Sequence, residues 1–236
     1  MNLSALKSEV QSVIGNTDST VATQITNWLN WAVLQMSRRH DWTDLISLNT
    51  SSYDTVAGTA TVSLATTVKK IYDIRYVDTA DDSRSRQLIY RPAWVANRLT
   101  PYPPGDAQNT PLYYWRIGRT LYLYPIPDEA KDLYMTIHSW PTAMSAGTDE
   151  PSITNVDDAI VAGAVQRAYM SLPQLDGADL MQVWGAEFVR LTTEASMIDK
   201  KLGGWRPLMR LHNAAGPRQS YDPTADPYNQ RGNYLA

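Results

Sequence analysis

At 236 residues, with a formal net charge of -3, 43% hydrophobic and 19% charged residues, the chain can bury a sizeable core as one large domain or two small ones. That balance excludes a disordered chain, and it argues against gripping duplex nucleic acid through a broad basic face, which needs clustered Lys and Arg to displace counterions. The lack of cysteine removes disulfides, thiolate metal sites and cysteine nucleophiles together, as expected of a protein made in a reducing compartment.

The first residues carry Lys7 and Glu9 inside their apolar pattern, which is unlike a signal peptide. Leu3, Leu6, Val10, Val13 and Ile14 instead recur at helical spacing before a stop at Gly15-Asn16. Asp18 to Thr20 offer caps for a longer helix through about Arg39, with Val21, Ile25, Trp28, Leu29, Ala32, Val33 and Met36 as its apolar face. Arg38, Arg39 and His40 then read as polar surface matched to the dipole of a helix end.

From about Asp44 the period changes. Ser, Thr, Asp and Gly between Asn49 and Thr59 predict a loop. Strands are expected at 59–64, 71–77, 87–90 and 133–140, the last with Tyr134, Thr136, His138 and Trp140 on one face. Leu112 to Ile117 and Thr120 to Tyr124 flank Gly118-Arg119 in the proportions of a β-hairpin. Pro92 suits the first turn of a short helix through Leu99, whereas the proline-rich run Thr100 to Asp106 cannot continue a helix or a central strand.

Helix returns at Asn155 to Asp158, where polar side chains offer caps before an apolar run to Val165. Ala159, Ala162, Gly163 and Ala164 are small enough to admit another helix closely, and Pro173 ends this one. A last amphipathic helix is predicted from near Asp176 to Leu202, burying Leu180, Val183, Trp184, Phe188, Leu191 and Ile198, with Gly203-Gly204 as its break. Beyond Trp205 no period survives, and the tail is expected to be extended or disordered in isolation. The fold class is therefore α+β. A helical body forms from residues 1–43 and 151–203, a mostly antiparallel β domain is inserted at 44–150, and an extended tail follows at 204–236.

Chemistry is hard to find in this sequence. No GxGxxG, GxxxxGK[ST] or GxSxG pattern occurs. His40, His138 and His212 lie in three different regions without paired-ligand spacing. The acidic pairs Asp81-Asp82, Asp128-Glu129 and Asp149-Glu150 sit in turn-like sequence, and Asp157-Asp158 opens a helix where negative charge matches the dipole. No catalytic residue, metal ligand set or cofactor is expected, and no apolar run approaches the roughly 18 residues that cross a bilayer. The aromatic usage is skewed, with 14 Tyr and 8 Trp against a single Phe. Two explanations stay open: surfaces later covered by a partner, or a β-rich core with amphipathic aromatics at its rim.

Several segments together carry a resemblance. They are Thr26-Asn27-Trp28-Leu29-Asn30 through Ser37-Arg38-Arg39-His40-Asp41-Trp42; the strand Lys70 to Val77; the hairpin ending Tyr124-Pro125-Ile126-Pro127; Ser139-Trp140-Pro141; the helix around Asp157 to Ala164; and Trp184 to Phe188. In this order, over most of Met1 to Leu202, they resemble the head-to-tail adaptor (neck) proteins of tailed bacteriophages. The resemblance implies a structural virion protein and not an enzyme. It implies a ring, dodecameric in that family, beneath the portal and above tail or nozzle proteins, with double-stranded DNA passing through its channel. Trp205, Tyr221, Tyr228 and Tyr234 are expected to anchor the tail on a neighbour or an adjoining layer. The alternative is a mobile tail with incidental aromatics. Another tail component (tail-tube, tail-terminator or nozzle) and a carbohydrate-binding β module are the competing functions.

Overall fold

The computed structural model describes residues 1–15, 18–80, 85–95, 108–172 and 178–202. Met1–Ser196 form one compact unit and Met197–Ala236 a second. The long helices are α1 (Leu3–Ile14), α2 (Ser19–Arg39), α3 (Asp157–Ser171) and α4 (Ala178–Leu202), with a short 3-10 turn at Thr43–Leu45. Between α2 and α3 run β1 (Ile46–Asn49), β2 (Thr61–Ser63), β3 (Val68–Val77), β4 (Arg86–Gln87), β5 (Ile89–Tyr90), β6 (Tyr113–Ile117), β7 (Thr120–Tyr124) and β8 (Asp132–Ser139). The fold is α+β.

The helices form where the apolar period predicts them. The Asn2 side chain caps α1 by accepting from the Ala5 N–H at 3.0 Å, and Gly15 closes it at φ +64°, a left-handed angle that needs no Cβ. All seven predicted core residues of α2 are buried. The start of α3 departs from expectation. Its N-cap is Val156, with no side-chain cap bond, because the polar groups before it are turned elsewhere: the Thr154 N–H and hydroxyl both donate to Asp44 at 2.8 Å. Pro173 lies outside the described residues.

α3 is buried nearly all round, from Ala159 to Val165 and again at Ala168, as befits a helix at the centre of a bundle. Gly163 makes this possible. A Cβ there would stand 2.9 Å from the Ala32 Cβ of α2 and 2.9 Å from the Phe188 ring of α4. Around α3 the core gathers Leu3, Leu6 and Val10 of α1, Ile25, Leu29 and Met36 of α2, and Phe188.

The strands form two four-stranded sheets, ordered β1-β8-β3-β4 and β2-β7-β6-β5. All pairs are antiparallel except β5 with β6, which is parallel. A second core lies among their buried side chains, including Val62, Ile74, Tyr76, Leu121, Leu123, Leu133 and Met135. The hairpin β6–β7 turns at Gly118 with φ +61°, the first-position glycine of a tight two-residue loop. The single strand expected at 87–90 is two. Leu88 is buried and its N–H donates to Ile74 in one sheet, while the Ile89 N–H donates to Leu112 in the other. Strand β1 was not expected, because its side chains are mostly outside the core and show no alternation of burial.

One stripe needs correction. On α4, Phe188 and Thr192 are buried and Trp184 and Leu191 are half-buried, but Leu180, Val183 and Ile198 are 45%, 61% and 50% exposed. Periodicity identifies an apolar stripe without saying whether its cover belongs to the same molecule.

Candidate docking surfaces

The helical and β cores meet at a polar junction. The last turn of α2 delivers Ser37 and, just beyond it, Asp41; β3 delivers Lys69 and Lys70. The Lys69 ammonium donates to the Ser37 carbonyl and to Asp41 Oδ1 at 2.8 Å, and lies 5.2 Å above the Trp140 ring. Lys70 reaches Asp41 Oδ2 at 3.1 Å. Burial alone would raise the Asp41 carboxyl, but these two lysines outweigh it and hold its pKa down at about 2. Elsewhere the Asn30 amide donates to the Met144 carbonyl and accepts from the Met144 N–H, at 2.9 and 2.8 Å.

His138, on β8, is fully buried at this junction, with the Tyr72 ring edge-on at 6.4 Å. Burial and then Lys69 hold its pKa below the usual 6.5, Asp41 opposing and Lys70 assisting. The unfolded chain therefore takes up the proton more readily than the folded one. Stability from this group is complete above pH 6.5 and declines as pH falls through the interval below it. A thermal midpoint that drops between about pH 7 and pH 5, and a flatter profile for His138→Gln, is the expected result. Identical profiles for the two proteins would contradict it.

Exposed apolar side chains include Leu180 and Val183 on one flank of α4, Val189 on another, and Met170 on α3. On strand β5 and the turn after it, Ile89, Tyr90 and Trp94 are exposed. Helical backbone at 93–95 follows Pro92, with the Val95 N–H bonded to the Pro92 carbonyl at 2.9 Å; the rest of the helix expected through Leu99 lies outside the described residues. Between the apolar positions on α4, Arg190 bonds Glu187 and Glu194, exposed pairs that contribute little to stability.

The four predicted tail anchors, Trp205, Tyr221, Tyr228 and Tyr234, lie outside the described residues, as do His212 and the pair Asp81-Asp82. Two of the other acidic pairs each have a member in a structural contact. Asp149 accepts from the Ser145 and Ala146 N–H groups at 2.7 and 2.8 Å, and Asp157 accepts from the terminal amine at 2.7 Å. Among the described residues no group of His, Asp or Glu is placed to hold a metal ion, and no helix is long and apolar enough to cross a membrane.

Two cores are thus joined through a polar junction, and exposed apolar side chains lie on both. No curated protein matches the chain. The family described as SU10 adaptor protein matches residues 1–209, and the chain belongs to that family. It is a structural adaptor protein of phage.

Proposed function

We propose that the chain forms a head-to-tail adaptor ring in the virion neck, docked beneath the portal and linked below to tail or nozzle proteins. Support comes first from α4, which seals its own core through Phe188 while turning Leu180 and Val183 outward. A ring needs such a face to meet a different face of its neighbour, repeated until the rotation closes. We place α1 to α4 in the ring body and the β domain towards adjoining layers, with twelve subunits as the family resemblance implies. Trp205, Tyr221, Tyr228 and Tyr234 act as aromatic anchors on a neighbour or an adjoining layer. Double-stranded DNA passes through the channel without sequence-specific contact, and a chain of net charge -3 suits that passage because its 24 acidic residues outnumber its 21 Lys and Arg, where a strongly cationic lumen would hold phosphates.

The test is mass photometry of the purified protein, alone and mixed with its portal. A closed ring with the portal is expected, and Val183→Glu is expected to abolish it while leaving the thermal midpoint within a few degrees, since the residue is exposed. Failure to join any ring with the portal would overturn the proposal. Docking to tail proteins without portal contact would favour a tail component instead.

A further inference from the structure

The two sheets part at one place. Strand β4 pairs with β3 only at Arg75 and Tyr76, so the Val68–Tyr72 half of β3 has β8 on one side and no described strand on the other. Facing this half across a cleft of about 710 Å³ are Tyr90 of β5 and Tyr114 and Arg116 of β6. The β3 ladder shifts register between Val68 and Lys70 and again between Ile71 and Asp73. Such irregularities bend a strand and re-aim its side chains at an edge.

The cleft is cationic on an acidic protein. Arg116 donates to three carbonyls, Gly118 at 2.7 Å and Val68 and Lys69 at 3.1 Å, and pairs with no carboxylate among the described residues. Lys69 and Lys70 share the single carboxylate of Asp41. Three cations thus face one anion, while Asp73 further along is taken up by Arg75 and Gln87. The remaining walls are aromatic. Tyr90 and Tyr114 meet edge-on at 5.5 Å, and Lys70 lies 4.9 Å above the Tyr72 ring. Burial, followed by nearby acidic groups, holds the Tyr72 and Tyr114 phenols up at about 12, so both keep their protons at any working pH.

We infer that this cleft receives an extended acidic peptide segment of a partner protein, laid along the Lys70–Tyr72 stretch of β3, beyond the Val68 and Lys69 carbonyls that Arg116 occupies, with its carboxylates toward Lys70 and the Arg116 guanidinium. A strand edge offers peptide N–H and C=O groups at the spacing of another strand, which gives affinity, and flanking side chains give selection. Aromatic rings of the segment pack on Tyr72 and on Tyr90, which is exposed. Single-stranded nucleic acid also favours cations and aromatic faces. It has no peptide N–H and C=O groups with which to pair with a strand edge. The inference is independent of ring formation, because every residue it uses belongs to one chain.

Fluorescence anisotropy with the full chain tests it, using a labelled repeat peptide of Glu, Tyr and Thr. A Lys-Tyr-Thr repeat and oligo-dT of equal length serve as comparisons. The variants Lys70→Glu and Tyr90→Ser alter exposed side chains, and circular dichroism checks that both remain folded. The Glu repeat is expected to bind in preference to both comparisons, and to weaken roughly tenfold in Lys70→Glu and with added salt. No binding, wild-type affinity in both Lys70→Glu and Tyr90→Ser, or tighter binding of oligo-dT would overturn the inference. Mass photometry of the same variants separates this outcome from ring assembly.

Discussion

Replacing Phe188 with alanine is expected to cost roughly 3–5 kcal/mol, lowering the thermal midpoint on the order of 10 °C for a chain of this size. The residue is the one phenylalanine in the sequence and is 1% exposed. Its ring fills the space left by Gly163, has the Arg39 guanidinium 5.3 Å from its centre, and lies 6.3 Å from the Trp31 ring. On α4 it shares the inward side with Thr192, whereas Trp184 and Leu191 remain half-exposed to solvent. A truncated ring leaves a cavity that Gly163 of α3 and Ala32 of α2 have no side-chain length to fill. Denaturant titration should show the loss in midpoint. A fall of less than about 1 kcal/mol would mean that α4 is held by something other than this contact.

Gly163→Val tests the same contact from the opposite side. The new Cβ would lie 2.9 Å from the Ala32 Cβ and 2.9 Å from the Phe188 ring, and neither neighbour is the free end of a flexible chain. Overpacking of this kind costs typically about 1–3 kcal/mol, and the added methyls of valine place it at or above the top of that range. Alanine is the milder case, because its better helix propensity returns up to about 1 kcal/mol. The expected order of stability is therefore wild type, then Gly163→Ala, then Gly163→Val. The penalties of Gly163→Val and Phe188→Ala should add to more than the double mutant loses, since each opens or fills the same space. Strict additivity would show that the two residues are not in contact.

The elements that the sequence makes legible are those whose burial is complete and periodic. Helix α2 presents Val21 to Met36 to one core, and the small run Ala159 to Ala164 announces a close helix contact. The β6–β7 hairpin is written in the glycine that turns it. What escapes has a different origin in each case. Strand β1 faces mostly outward and so lacks alternation. The step from β4 to β5 hangs on one buried residue, Leu88, which looks like any strand leucine. Val183 and Leu180 are apolar at helical spacing, and only the surrounding fold decides which way they look. The cleft is the least legible feature. Lys70, Tyr72, Tyr90 and Arg116 are far apart in the chain, and the opening exists only because β4 is two residues long.

Lys69 holds the end of α2 from within the sheet, with its side chain 16% exposed, while Lys70 grips the same carboxylate with 52% exposure. Ions in solution weaken the outer grip and leave the inner one largely intact. The two halves of the chain are thus braced like a beam with one sheltered bolt, and a tug on the strands is delivered to the final turn of α2 instead of being absorbed by a loose hinge.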